Sequence, residues 1–354
     1  MTGGPETVGE TVTRVVRQVL CTEGRIHVEE LQRGLGLRRF FRVELERGTP
    51  SRLVARVEAP EDLARRPSGA APEPRLEPVR ALLEAHGVPV PARYGGDEAA
   101  GVDLLEDLGS ATLATAAAGA SGEERQGLYA EACDIVVRYQ TVRDPGGKVR
   151  VACFDRRLDA TLFAYKADFF ATWSLSAALG RKATVGERAV VEEAFSEIAA
   201  IAAAAPERLA HRDFQSSNIL VRANRPAGRR LCVIDLQGAF LAPPEYDLVC
   251  LLRDSYVELA DPEVAFQLER IRPALPEAPD PESFARRFDL LTLTRKGKDH
   301  ALFLYAAKTR GLNEYLQFLP PTVRALRSAA LRRAGESPRL SRLADLVLQL
   351  PESP

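Results

Sequence analysis

An α+β chain in two lobes is what this sequence predicts: a small antiparallel sheet with a helix, then a larger, mainly helical part. Three observations predict it. Short runs rich in Val, Ile, Leu and Phe, separated by Gly and Pro, fill the first third of the chain. From Gly109 onward, apolar residues recur at helical spacing. A chain of 354 residues is also long enough for two lobes around sizeable cores.

The elements follow in order. Val8, Val12, Val15, Val16 and Val19 mark a helix over about Thr7 to Leu20 that packs on the first lobe. Arg25 to Leu31, Phe40 to Glu46 and Ser51 to Glu58 read as strands, with Gly34/Gly36 and Gly48-Thr49-Pro50 between them, an antiparallel meander. Ala59 to Pro74 is rich in Pro, Ala and Arg and reads as irregular. A helix follows from about Pro78 to His86, stopped by Gly87. Ala92 to Gly95 and Val102 to Leu105 complete the sheet. Helical patterns then cover Gly122 to Val142, Leu158 to Leu179, Glu187 to Ala204, Tyr246 to Leu259, Glu263 to Ile271, Glu282 to Leu293 and His300 to Thr309. Short strands at Ile219 to Val221 and Leu231 to Ile234 interrupt them. The expected division is a first lobe over 1–105, a hinge over 106–109 and a helical lobe over 110–354.

Composition narrows the function classes. Apolar and charged fractions of 45% and 27% are those of an ordinary globular chain. A net charge of −1 gives no general attraction to nucleic acid or membrane, and nothing marks an obligatory protein partner. Cys21, Cys133, Cys153, Cys232 and Cys250 are odd in number and lack metal-ligand spacing, against both zinc and a disulfide framework. No basic, apolar leader opens the chain and no apolar run reaches membrane-spanning length, so a cytoplasmic protein is the default expectation.

The chemistry is carried by His211-Arg212-Asp213-Phe214-Gln215-Ser216-Ser217-Asn218, which fits H-R-D-x-x-x-x-N. Downstream, Leu231-Cys232-Val233-Ile234 ends on Asp235. Phosphoryl transfer asks the protein for a group that orients one hydroxyl and for oxygen ligands that hold magnesium against phosphates. Asp213 fits the catalytic base; Asn218 and Asp235 fit the metal ligands. His211 reads as scaffold, and Asp247 as a helix cap or a support for the loop. In the first lobe, Gly34 and Gly36 let backbone approach a phosphate, though a hairpin turn explains them equally. A third-strand Lys, as in V-A-I-K, should pair the α- and β-phosphates. The matching stretch is Val54-Ala55-Arg56-Val57: with Ala55 in register, Val57 takes the Lys slot and Arg56 points to the other face. A bulge would bring Arg56 into play; otherwise Arg38 or Arg39 supplies the charge. An adenine ring between the lobes would be read by backbone groups of Leu105-Glu106-Asp107-Leu108-Gly109, with Glu106 and Leu108 as the contact residues. No G-x-x-x-x-G-K-[ST] occurs, against a P-loop enzyme.

These residues resemble the aminoglycoside-phosphotransferase-like branch of the protein-kinase-like fold. Within it the chain is most similar to bacterial anomeric kinases of N-acetylmuramate and N-acetylglucosamine, which serve cell-wall sugar recycling. The likeness rests on Leu37 to Val43, Val57-Glu58-Ala59-Pro60, Leu104 to Gly109, Phe170-Ala171-Thr172-Trp173, the loop from His211, Ile234 to Ala239 and Tyr246 to Asp254. It implies a bilobal kinase plan, ATP or GTP, magnesium, and a sugar phosphorylated at its anomeric hydroxyl. It also implies Asp168 and Asp254 as contacts to acceptor hydroxyls, because both lie near motifs that face the cleft in such folds. Relatives usually carry Gly where Ala242 stands and often Arg where Ser217 stands, which touches acceptor preference. An aminoglycoside or other hydroxyl-compound kinase is the alternative enzyme reading, and a nucleotide-binding pseudokinase scaffold the alternative of another class. The segment Leu158 to Leu179 holds only Asp159 and Asp168 as acids, few for a polycationic acceptor.

Overall fold

The computed structural model describes residues 6–32, 35–59, 73–146, 150–222 and 224–352. Contacts divide the chain into two compact units: Met1–Arg66 with Val90–Ser110, and Pro67–Pro89 with Ala111–Pro354.

In the first unit, helix α1 (Val8–Leu20) starts at a capping box in which Thr7 and Glu10 satisfy each other's backbone N–H groups. Strands β1 (Ile26–Glu30), β2 (Arg39–Leu45), β3 (Arg52–Val57), β4 (Arg93–Asp97) and β5 (Val102–Glu106) form one antiparallel sheet, ordered β1-β2-β3-β5-β4. Alternation along the strands sorts the side chains by face. Phe41, Val43, Leu45, Leu53, Ala55, Val57, Val102 and Leu104 pack with Val12, Val15 and Val16 of α1 as one apolar core. Pairing of β3 with β2 and β5 runs residue by residue with no bulge, so Arg56 falls on the face away from α1. There it meets Glu58 at 2.8 Å and Asp103 at 3.4 Å, while Arg93 holds the other oxygen of Asp103 at 2.9 Å.

The second unit takes helix α2 (Leu76–Ala85), which the expected boundary at residue 105 had placed with the sheet. Its partner is the turn Leu236–Gly238. Helices α3 (Leu113–Gly119), α4 (Gly122–Thr141), α5 (Ala160–Phe169), α6 (Ser176–Leu179) and α7 (Val185–Ala203) precede four short strands. These are β6 (Arg208–Ala210), β7 (Ile219–Val221), β8 (Leu231–Val233) and β9 (Phe240–Ala242), paired β6 with β9 and β7 with β8. Helices α8 (Tyr246–Leu252), α9 (Asp261–Ile271), α10 (Pro281–Arg310), α11 (Leu319–Arg333) and α12 (Pro338–Val347) complete it.

Three boundaries differ from the sequence reading. The helix expected to reach Leu259 stops at Leu252. The helix over Leu158 to Leu179 widens into a π turn at Phe170–Leu175, a distortion that recurs at functional sites. The helices expected at Glu282 to Leu293 and His300 to Thr309 are one, α10, running from an Asp280 cap to Gly311 in the left-handed region. Arg295-Lys296-Gly297-Lys298-Asp299 breaks the apolar pattern, but these charges are paired with one another, so the helix continues through them. Gly297 has its own reason: a Cβ there would lie 3.1 Å from the Phe170 ring at the start of the π turn.

Strand β4 has two positions with no room for a side chain, and at the first, Gly95, a Cβ would come within 2.5 Å of Cγ1 of Val19 in α1. A Cβ on Gly96 of β4 would come within 2.3 Å of the Val102 carbonyl oxygen, a backbone atom that cannot step aside alone. Gly96→Ala is expected to lower the unfolding free energy by about 1–3 kcal/mol, since overpacking forces backbone shifts; an unchanged denaturation midpoint contradicts this packing.

Candidate active site

The site is built on the loop between β6 and β7. His211 follows β6 directly, and Asn218 precedes β7. The β7–β8 ladder pairs Ile219 with Val233, and its next rung is the Ile234 N–H donating to the Asn218 carbonyl at 3.0 Å. That register sets Asn218 beside the end of β8, where Asp235 turns into the left-handed region at φ 64°. The Asn218 side chain closes the loop: its Nδ2 donates to the Asp213 carbonyl at 2.9 Å, so its amide oxygen is the atom left to serve as a ligand. Gln237 donates through Nε2 to Oδ1 of Asp235. One hydrogen bond and one ladder thus tie the backbone positions of Asp213, Asn218 and Asp235 together.

The loop's own polar groups are satisfied by buried side chains from α8, the segment after it and α10. Asp247, at the start of α8, accepts the N–H groups of His211 at 2.6 Å and Arg212 at 3.1 Å. The N–H of Arg212 is presented with φ at 83°, a strained geometry that this pair of bonds helps to hold. Burial pushes the Asp247 carboxyl up to about 6. His211 is fully buried, with Nε2 at 2.8 Å from the Ile234 carbonyl, edge-on to the rings of Tyr139 and Phe214. It is scaffold, as its sequence context suggested.

Arg295 of α10 is the densest node. Only 3% of its side chain is exposed. Its Nη1 reaches Oδ1 of Asp213 at 2.7 Å and the Arg212 carbonyl at 3.1 Å, its Nη2 reaches Oε1 of Gln215 at 3.3 Å, and its Nε reaches Asp299 at 3.2 Å. Asp299 also meets Lys296 at 2.7 Å and Lys298 at 3.6 Å. Removal from water pushes the Asp213 carboxyl up; Arg295, Lys298 and Arg212 more than reverse this and hold it well below the usual carboxylate range. Lys166 of α5 is buried with its ammonium 3.2 Å from the Tyr246 hydroxyl, and burial, then repulsion from Arg295 and Lys298, bring it down to about 7. Sequence reading missed Arg295, Lys298, Asp299 and Lys166. The one signal was a charged run inside an otherwise apolar helix, and its partners lie far away in the chain.

The remaining expected residues fall as follows. Asp254 is not turned toward an acceptor: it is 4% exposed and accepts from the Ser216 N–H at 2.8 Å, the Ser216 hydroxyl and the Tyr256 N–H at 3.2 Å. Its carboxylate supports the loop from behind. Asp168 is mostly exposed and paired with Arg188 at 2.9 Å, a surface ion pair. In the first unit, Ala55 is fully buried under α1 and fills core instead of lining a binding surface. Arg38 pairs with Glu58 at 2.8 Å; Arg39 forks onto Glu30 and lies over the Phe41 ring. Gly36 is exposed with open space where a Cβ would stand, and Gly34 lies outside the described residues. Glu106 ends β5, accepting the Ala92 N–H at 3.2 Å, and Leu108 is half-buried in the coil that follows.

The donor set fits a hard divalent cation. Asn218 and Asp235 offer one amide and one carboxylate oxygen, the pattern for a magnesium ion that keeps waters and takes its other ligands from phosphates. Among the described residues no group of three or more His, Cys, Asp or Glu side chains forms a closed cage. Among them also, no helix is long and apolar enough to cross a membrane.

The two carboxylates assigned to acceptor contacts separate cleanly. Asp254→Ala leaves the Ser216 N–H and hydroxyl unsatisfied in a buried place and is expected to cost about 2–4 kcal/mol of stability together with turnover. Asp168→Ala is expected to shift stability by less than about 0.5 kcal/mol and activity by less than about twofold. Thermal unfolding and steady-state rates check both; a normal melting temperature for Asp254→Ala with a raised KM alone contradicts the placement.

Comparison with known proteins agrees with this construction. The model of the phosphotransferase enzyme family matches residues 27–284. The chain is 28% identical over 279 residues to an N-acetylmuramate/N-acetylglucosamine kinase of Pseudomonas aeruginosa, covering 77% of each. It is 28% identical over 319 residues to the protein of that name from Neisseria meningitidis, covering 88% of this chain and 87% of the other. An ADP-bound aminoglycoside phosphotransferase shares the fold at a TM-score of 0.57 and 15% identity, over 90% of this chain and 97% of that one. The fold is thus the kinase-like α+β fold, the activity is that of a nucleotide-dependent kinase, and the chain belongs to the phosphotransferase enzyme family.

Proposed function

We propose that this kinase moves the terminal phosphoryl group of ATP or GTP, with magnesium, onto the anomeric hydroxyl of an amino sugar, N-acetylmuramate or N-acetylglucosamine. The observation that supports the chemistry is the Asn218-to-Asp213 hydrogen bond together with the β7–β8 ladder, which ties the backbone of Asp213 and Asn218 to the strand that ends before Asp235. The acceptor is supported by relatives named for these two sugars over three quarters or more of the chain.

On this reading Asp213 receives the acceptor hydroxyl through Oδ2, since Oδ1 is held by Arg295. The acceptor oxygen forms its bond to phosphorus as the bond to the nucleotide's leaving oxygen breaks, and the acceptor proton passes to Asp213. A carboxylate held low in pKa is a weak base, so it orients the hydroxyl and takes the proton late, which suits loose phosphoryl transfer. Bound at Asn218 and Asp235, magnesium would supply charge neutralisation of the phosphates. The first unit, with the hinge over 106–109, would hold the nucleotide through Gly36, Arg38, Arg39, Arg56 and the backbone of Glu106 and Leu108.

A panel of N-acetylmuramate, N-acetylglucosamine, other amino sugars and aminoglycosides, incubated with magnesium and ATP or GTP, tests this reading. Transfer to an N-acetylated amino sugar with an acid-labile anomeric phosphate as product is expected. Asp213→Ala and Asp235→Asn are expected to reduce the rate by about 10³-fold or more. Transfer to aminoglycosides alone, or to no member of the panel, overturns it.

A further inference from the structure

The contacts of Arg295 exceed what a structural ion pair needs. A buried guanidinium is satisfied by one carboxylate and a carbonyl or two, and Asp299, four residues on in the same helix, already provides the carboxylate. Arg295 instead spreads its fork over three points of the catalytic loop: the Arg212 carbonyl, Oδ1 of Asp213 and Oε1 of Gln215. The Arg212 carbonyl leaves a residue at positive φ, and Cys250 Sγ donates to the same oxygen at 3.3 Å. Asp213 itself keeps 28% of its side chain exposed, so the clamped carboxylate still faces outward.

We infer that Arg295 is the positioning residue of the base: from α10 it grips the loop on both sides of Asp213 and fixes which carboxylate oxygen is left for the acceptor. This rests on the reading of Asp213 as base. Its basis is the shape of the donor set. The Nε–H anchors the guanidinium on Asp299, and the two terminal nitrogens then have fixed directions, so the plane of the group dictates the rotation of the Asp213 carboxylate. A lysine supplies the charge from the same helix position without the fork, because its three donors radiate from one atom. Charge and orientation are therefore separable by substitution. Lys298, one turn along, adds positive charge to the neighbourhood but makes its ion pair with Asp299, so it does not replace the clamp.

The test uses the full chain with Arg295→Gln and Arg295→Lys, checked for folding by thermal unfolding. A crystal structure of each protein needs no acceptor and so reads the clamp even if the proposed sugar is wrong. In the native protein Arg295 is expected to hold Oδ1 of Asp213 and the Arg212 carbonyl, and in both variants the Asp213 carboxylate is expected to be rotated or to take more than one conformer. With whichever acceptor the native enzyme phosphorylates, both variants are expected to lose about 10²-fold in kcat with KM within about threefold, the signature of lost orientation. A folded Arg295→Gln with the native Asp213 carboxylate orientation, or with kcat within about twofold of native, overturns the inference. So does full recovery of kcat in Arg295→Lys, which would reduce the role to charge alone.

Discussion

Everything at this site depends on one constraint: a loop that must present a carboxylate to solvent also carries backbone groups turned into the protein, and each of these needs a partner. The segment from His211 to Asn218 is too irregular to pair with itself. Asp247 takes two of its N–H groups, Asp254 takes the Ser216 N–H and hydroxyl, and Arg295 takes the Arg212 carbonyl. Two acids and one base, drawn from α8, the segment after it and α10, thus do for this loop what a ladder does for a strand. Asp213 is precise because its supports are buried and paired.

Much of this was legible in the sequence, for identifiable reasons. The strands of the sheet alternate because α1 covers only one face, so periodicity reported them with small errors at the ends. The motif residues Asp213, Asn218 and Asp235 stood out because their spacing is set by a tight loop and a two-stranded ladder, both local in the chain. Asp254 was misread because its partner, Ser216, is distant in sequence: a buried carboxylate that props a loop and one that meets a ligand look alike until the partner is seen. Ala55 was misread in a different way. The strand was aligned by its letters, whereas its face is decided by the unbroken ladder and by α1 above it.

Charge inside α10 shows where one-dimensional reading stops. Arg295, Lys296, Lys298 and Asp299 look like a solvent-facing break between two helices, yet the first two are almost fully buried and all four join one ion-pair network. Burying that many charges is costly unless each is paired and hydrogen-bonded. Such a cost is tolerated most readily where the field has a use, and here it acts on Asp213: the same network that holds the carboxylate in place holds it ionised. The first unit repeats the theme on a smaller scale, with Arg56 and Arg93 sharing Asp103 on the sheet face away from α1.

The central claim is that Asp213, Asn218 and Asp235 form one phosphoryl-transfer centre. It is tested most directly by a crystal structure of the protein with magnesium and a non-hydrolysable ATP analogue. The account predicts a metal ion about 2.0–2.1 Å from the Asn218 amide oxygen and from a carboxylate oxygen of Asp235, bridging to the phosphates, with Asp213 facing the terminal phosphate. Magnesium and phosphates bound elsewhere, with Asn218 and Asp235 touching neither, would contradict it.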